Sequence, residues 1–323
     1  MLHETPAFAL GRLTDGTRAC TALVRGTADG DRFLDLDTVA AELGLISPVT
    51  VPALLADWDR VLPLLAALPA ERPLTGLTVL APVQPRQVFQ SGANYRTHVI
   101  DLAMAHTEIA DGRSVEQVRS ETTAMMDQRA ATGSPYLFLG LPSAVGGPYD
   151  DVVLPGYSDR HDWELELAAV IGSPAYRVSR EQAQRHVAGY TIVNDLTTRD
   201  RVFRRDMPEI GTDWFRGKNA PGFLPTGPWL VPAEMIGDPT DLRITLSVNG
   251  DIMQDESTKD MLFDVPALVA EASQTTTLLP GDLVLTGSPA GNGQAMGRFL
   301  CAGDVMAGTI TGLGTQRQRC VQA

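Results

Sequence analysis

His161-Asp162-Trp163-Glu164-Leu165-Glu166-Leu167, continuing as Ala-Ala-Val-Ile-Gly to residue 172, is the stretch on which the reading of this chain turns. In an extended strand, alternate side chains share a face. Glu164 and Glu166 then point one way, while Trp163, Leu165 and Leu167 face a core. Asp162 has the parity of the two glutamates, so periodicity keeps it in the set. The continuation is too apolar for a wholly exposed strand. The carboxylates are therefore expected to line a cavity rather than open water. Two carboxylates that close do not both stay ionised in a poorly solvated site without a cation; otherwise one pKa rises sharply. Taken alone, a Glu-x-Glu pair more often marks an ordinary half-exposed strand.

The surrounding sequence is rich in strand signals. Arg243 to Gln254 holds two alternating runs joined by Asn249-Gly250, a strong hairpin signal. Leu278 to Gly287 has a Pro-Gly turn entering an apolar strand. Cys301 to Cys320 alternates with repeated glycine breaks, and His186 to Asp195 reads as a further strand. Many short strands with glycine turns predict a sandwich, barrel or other rolled sheet. Two segments read as helix instead: 102–133, polar and long, and Ser179 to Gly189, short and serine-capped. Residues 1–80 differ in character. Two short apolar runs around Asp-Gly turns precede helical patterns over 35–46 and over 51–68, the latter interrupted by Pro63. We read 1–80 as a small α+β domain and 81–323 as the main domain. The boundary lies at the proline-rich Ala81 to Arg86.

Composition narrows the function classes. The chain has 323 residues, 44% apolar and 20% charged, as expected of a soluble protein with a large core. Lys+Arg 26 against Asp+Glu 39 gives a net charge of -13, which argues against nucleic-acid binding and against docking on anionic membranes. The start lacks a basic segment followed by an apolar one, and no run approaches the ~20 apolar residues of a membrane helix. Cys20, Cys301 and Cys320 are odd in number and widely separated, and read as incidental thiols in a reducing compartment. A cytoplasmic protein is the expectation.

Four further constellations carry chemistry. Asn194-Asp195-Leu196-Thr197-Thr198-Arg199-Asp200 follows an apolar strand and puts Asp195 at its end, a usual place for site residues. In Gly92-Ala93-Asn94-Tyr95-Arg96-Thr97-His98, the histidine stands three residues before Asp101. On a helical turn the two share a face, and a carboxylate there can orient the imidazole as a general base. Lys218 lies in a loop next to Gly217, and Thr286-Gly287-Ser288-Pro289 leaves a strand with amides and hydroxyls that can hold a carboxylate. Each alone is more often a cap, a loop lysine or a turn. The glycine-rich loop lacks the spacing of a phosphate loop.

In this order, the segments resemble the fumarylacetoacetate hydrolase family: G-x-N-Y-x-x-H, E-x-E in an apolar strand, N-D-x-[ST]-x-R-D, a Gly-Lys loop, V-N-G and T-G-[ST]-P, over about residues 86–315. The resemblance implies an α+β, mainly β chain, with a rolled, mixed β-sheet core (a β-sandwich roll) and a small N-terminal domain. It implies Glu164, Glu166 and Asp195 as metal ligands, with Mg²⁺ as the ion and Mn²⁺ or Ca²⁺ as substitutes. All-oxygen ligands suit such hard ions. Family substrates carry a 1,3-dioxo or 2-oxo acid unit. By resemblance, His98 and Asp101 activate a water, Lys218 stabilises oxyanion charge, and Tyr95, Arg199, Gly287 and Ser288 contact substrate. The expected reaction is hydrolytic C–C cleavage of a 2,4-dioxo acid or related 1,3-diketone, leaving an enolate held at the ion. The alternatives are decarboxylation of an oxaloacetate-like acid, isomerisation or hydration, and a non-catalytic binding role. The assembly implied is a homodimer.

The chain departs from the family pattern in places. Asp101 stands where short members often carry Glu, and Ser288 replaces the usual Thr. Arg201, Val202 and Phe203 follow the Arg-Asp pair, where many members have Gln. The insert 102–133 reads equally as a lid or a dimer contact. Arg204 and Arg205 read as a surface basic pair.

Overall fold

A computed structural model describes residues 8–106 and 114–323; the middle of the expected insert, 107–113, lies outside the described residues. The first element is a five-stranded antiparallel sheet in the order Arg72–Pro73, Arg32–Asp35, Ala19–Arg25, Ala9–Thr14, Thr78–Leu80. Its first hairpin closes because Asp15 Oδ1 accepts the Thr17 and Arg18 amides while Gly16 takes a φ of +91°.

The core contains two further sheets. One has six strands in the order Val231–Pro232, Val187–Asn194, Leu165–Ile171, Leu283–Leu285, Val88–Gly92, Tyr136–Gly140. Only the pairing of Leu283–Leu285 with Val88–Gly92 is parallel in it. The other has five strands, Asp251–Ser257, Arg243–Val248, Val305–Ile310, Gly314–Gln322 and Val152–Leu154, the last pair parallel. Asn249 and Gly250 sit at φ of 55° and 91°, the left-handed pair that a two-residue hairpin needs. The fold is the rolled, mixed, mainly β architecture expected.

The strand Leu165–Ile171 is buried throughout, and its two faces serve different interiors. Trp163, Leu165, Leu167, Ala169 and Ile171 pack in one cluster with Tyr190, Ile192 and Leu246. Ala168 and Val170 pack in another with Leu230, Leu283 and Leu285. Glu164 and Glu166 have the parity of Ala168 and Val170. The acidic positions therefore begin a face that turns apolar further along the strand.

That second cluster also takes in Leu10, Leu23, Leu36 and Leu54, and the first takes in Ala9, Ala22 and Phe33. Leu10 and Leu230 exchange backbone hydrogen bonds of 2.8 Å in both directions. The first 80 residues thus share both interiors with the rest. Gly11 lies flat on the buried Trp229 ring, where a Cβ would come within 2.8 Å. Gly11→Val is expected to cost about 1–3 kcal/mol through overpacking. An unchanged urea midpoint would show that the ring yields freely.

Three local expectations change. The stretch 35–46 gives one turn of 3-10 helix, Leu36–Val39, capped by Asp35, before the chain turns at Gly44 with φ of +64°. The stretch 51–68 makes two helices, Val51–Leu55 and Trp58–Ala67, that break before Asp57 rather than at Pro63. Pro63 and Asp59 are both exposed, so water can serve the carbonyl that the proline leaves unpaired. The insert forms two helices around the undescribed segment, Arg96–His106 and Val115–Thr132. The second opens with a Ser114–Gln117 capping box. Among the described residues, no helix is long and apolar enough to cross a membrane.

Candidate active site

Strand register brings the acidic motifs together. Leu165 pairs with Asn194 and Glu166 with Val193, which puts Asp195 beside Glu164. The Asp195 amide donates to the Glu164 carbonyl at 2.8 Å. One carboxylate oxygen from each of Glu164, Glu166 and Asp195 lies within 4.8 Å of the others, and all three residues are buried. Val88–Gly92, two strands along the same sheet from Leu165–Ile171, adds Gln90, whose Nε2 donates to Asp195 Oδ1 at 2.6 Å. The Gly287 amide donates to Glu166 Oε2 at 2.7 Å. Gly287 has a φ of +86°, which a glycine adopts without steric cost.

Two cations hold the cluster. Lys218 Nζ lies 2.5 Å from Glu164 Oε2 and 2.6 Å from Asp195 Oδ2. Arg199 reaches Asp162 Oδ2 through Nε at 2.6 Å and Glu164 Oε1 through Nη2 at 2.7 Å. Asp162 also accepts the amides of Trp163, Gly293 and Gln294. Its partners make it a brace that aligns Arg199, which parity alone did not reveal.

The charges do not balance. Asp162, Glu164, Glu166 and Asp195 face Lys218 and Arg199, leaving an excess of two negative charges when all are ionised. The titration follows from this. Burial, then Asp195, pushes Glu166 well above the usual carboxylate range. Burial carries Asp195 up to about 6 against the pull of Lys218. Burial also disfavours the Glu164 carboxylate, but Arg199 and Lys218 outweigh it and hold that group low. An all-oxygen donor set two charges short of neutrality fits a hard dication such as Mg²⁺.

A cleft of about 170 Å³ opens over the cluster, lined by Glu164, Glu166, Arg199, Lys218, His98, Ser288, Ser91, Gly92, Ala93, Tyr136, Phe138 and Trp214. His98 is buried, and desolvation lowers its pKa to about 4, so the ring is neutral near pH 7. Ser288 Oγ accepts from Gln254 and Asn292 and keeps its place on the wall. Among the described residues, the buried Ser91 hydroxyl has no hydrogen-bond partner.

Three of the expected site residues are placed differently. Tyr95 is fully buried in the main core, next to Met261 in a bridge, rather than on the cleft wall. The Gly287 amide is already engaged by Glu166. Among the described residues, His98 and Asp101 share no hydrogen bond. The charges acting on His98 are Glu164, Arg199 and Lys218, whereas Arg119 and Asp260 act on Asp101. Gln90, Asn292 and the aromatic trio Tyr136, Phe138 and Trp214 carry no local pattern and emerge only from the fold. Asn94, within a quoted motif, proves to be a staple: its side chain bonds Phe263 through both backbone groups and also the Thr286 carbonyl.

Fold and site define a protein with a rolled mixed sheet and a buried carboxylate centre that could hold a metal ion. The chain belongs to the fumarylacetoacetate hydrolase family: residues 87–321 match the family model described as fumarylacetoacetate (FAA) hydrolase C-terminal. It is 45% identical over 188 residues to a 2,4-didehydro-3-deoxy-L-rhamnonate hydrolase of Sphingomonas, covering 57% of this chain and 64% of that protein. It is 42% identical over 159 residues to a mitochondrial oxaloacetate tautomerase of Homo sapiens, covering 49% of each. The matches therefore span between about half and just under two thirds of those curated relatives. Its structure is similar to that of maleylpyruvate hydrolase from Sphingobium, with a TM-score of 0.71 and 27% identity, covering 98% of this chain and 100% of that one.

Proposed function

We propose that the protein is a metal-dependent hydrolase that cleaves a C–C bond in a 2,4-dioxo acid or related 1,3-diketone. The observation that carries this reading is the convergence of Glu164, Glu166 and Asp195, with two charges uncompensated, beside a buried neutral His98. Glu164, Glu166 and Asp195 would hold the ion, Mg²⁺ by preference. When bound, the ion supplies Lewis acidity toward the oxygens of a dioxo unit.

The remaining work falls to this chain's side chains. His98 Nδ1 or Nε2, unprotonated in its buried position, accepts a proton from a water directed at the distal carbonyl. Lys218 keeps a positive charge at the cleft floor, where negative charge develops on a substrate oxygen. Ser91 presents an unengaged hydroxyl for a substrate carbonyl or carboxylate, whereas the Ser288 hydroxyl, which donates to the Pro289 carbonyl, would have to turn to do so. Arg199, which lines the cleft, orients Glu164 through their ion pair.

A second reading is tautomerisation or decarboxylation of an oxaloacetate-like acid. The likeness to an oxaloacetate tautomerase favours it, and it needs the carboxylates and Lys218 but no attacking water. Removal of divalent ions with EDTA is expected to abolish turnover of an acylpyruvate, and Mg²⁺ to restore it. Release of two carboxylic acid products supports hydrolysis. Turnover of oxaloacetate alone would replace the first reading with the second, and activity that survives EDTA would remove both.

A further inference from the structure

The cleft has two unlike walls. Acids and their cations make one; Tyr136, Phe138 and Trp214 make the other. The Phe138 and Trp214 rings stack with centroids 4.7 Å apart and planes 17° apart. Trp214 Nε1 donates to Tyr136 Oη at 2.8 Å, and the Tyr136 and Phe138 centroids are 6.0 Å apart. None of the three is fully buried, and Tyr136 is 45% exposed.

This wall stands close to the reacting centre. Lys218 Nζ, which bridges Glu164 and Asp195, is 5.9 Å from the Phe138 centroid and 5.7 Å from that of Trp214. A ligand held at the carboxylates has these rings within reach of its far end. The polar side has no charge to spare for that end. Arg199 is paired with Asp162 and Glu164, and Lys218 with Glu164 and Asp195. Arg129 is not among the residues lining the cleft, and its guanidinium donates to the Gly92 and Ala93 carbonyls behind the loop. Among the described residues, the cleft offers no unpaired cation for a second carboxylate.

We infer that the site selects oxo acids whose distal acyl group is uncharged, planar and apolar, packed against the side that the stacked Phe138–Trp214 pair turns to the cleft. This rests on the hydrolase reading of the cleft. Each ring covers one face of the other, and the ring surface left to the cleft favours another aromatic or conjugated group over an anion. A carboxylate placed there loses its hydration without gaining a partner.

The test compares benzoylpyruvate with fumarylpyruvate, which ends in a carboxylate, using the full chain with Mg²⁺. The expected result is a kcat/KM at least about 10-fold higher for benzoylpyruvate, the scale of discrimination by an apolar pocket. Trp214→Ala is expected to bring the ratio toward one, and Trp214→Phe to retain most of it. Both rates come from the same protein sample, so partial misfolding of a variant cancels. A wild-type ratio of one or below, or an unchanged ratio in Trp214→Ala, overturns the inference. If neither acid is hydrolysed, the hydrolase reading falls on its own. Calorimetric titration of the two acids still measures the preference: tighter benzoylpyruvate binding supports it, and equal or weaker binding overturns it.

Discussion

Glu166→Gln is expected to weaken Mg²⁺ binding about 100-fold or more and leave the fold intact. Loss of an outer partner of a metal ligand typically costs about 10–100-fold in affinity, and loss of a charged ligand oxygen should meet or exceed that. Glu166 is the informative member of the trio because of its partners. It accepts the Gly287 amide, which the glutamine carbonyl can still do, and it suffers from the neighbouring Asp195 charge. Glutamine removes that repulsion. Without added metal, the variant is expected to melt at or above the wild-type temperature, while the stabilisation by Mg²⁺ is lost. Glu164→Ala would confuse the two effects. It takes one of two acidic partners from both Arg199 and Lys218, leaving them Asp162 and Asp195, and breaking a buried pair costs about 3–5 kcal/mol. Calorimetry that finds wild-type Mg²⁺ affinity in Glu166→Gln would end the ligand assignment.

The second large effect is on turnover. His98→Ala is expected to lower hydrolytic kcat by roughly 10²–10⁴-fold, the scale of a lost general base. Mg²⁺ affinity should be unchanged, because His98 is not among the clustered carboxylates proposed to hold the ion. The two variants thus separate binding of the ion from activation of water. Single-turnover measurements exclude a masking product-release step. A kcat within a few-fold of wild type would take His98 out of the mechanism and leave the water-free reading of the site.

Much of this was legible in the residues themselves, for reasons of period and reach. Strand parity correctly grouped Glu164 with Glu166 and set Trp163 and Leu165 in the core. Asn249-Gly250 announced its hairpin because few other residues tolerate two successive left-handed positions. Parity could not tell that Asp162 braces Arg199, because its deciding partners include amides 131 and 132 residues away. The i,i+3 spacing of His98 and Asp101 suggested a bond on geometry alone. In the fold, desolvation and the charges of the cleft act on the imidazole instead. Phe138 and Trp214 are ordinary apolar residues in the sequence; only the packing of Trp214–Lys218 against the edge strand Tyr136–Gly140 makes a wall of them.

The sharing of Leu10, Leu23 and Leu36 with Leu283 and Leu285 has a practical corollary. An apolar interior completed by two stretches of chain cannot be divided without opening it to water. Heat should melt the whole chain in a single cooperative transition. Expressing the part after residue 80 by itself should yield a sticky, aggregating fragment rather than a minimal enzyme.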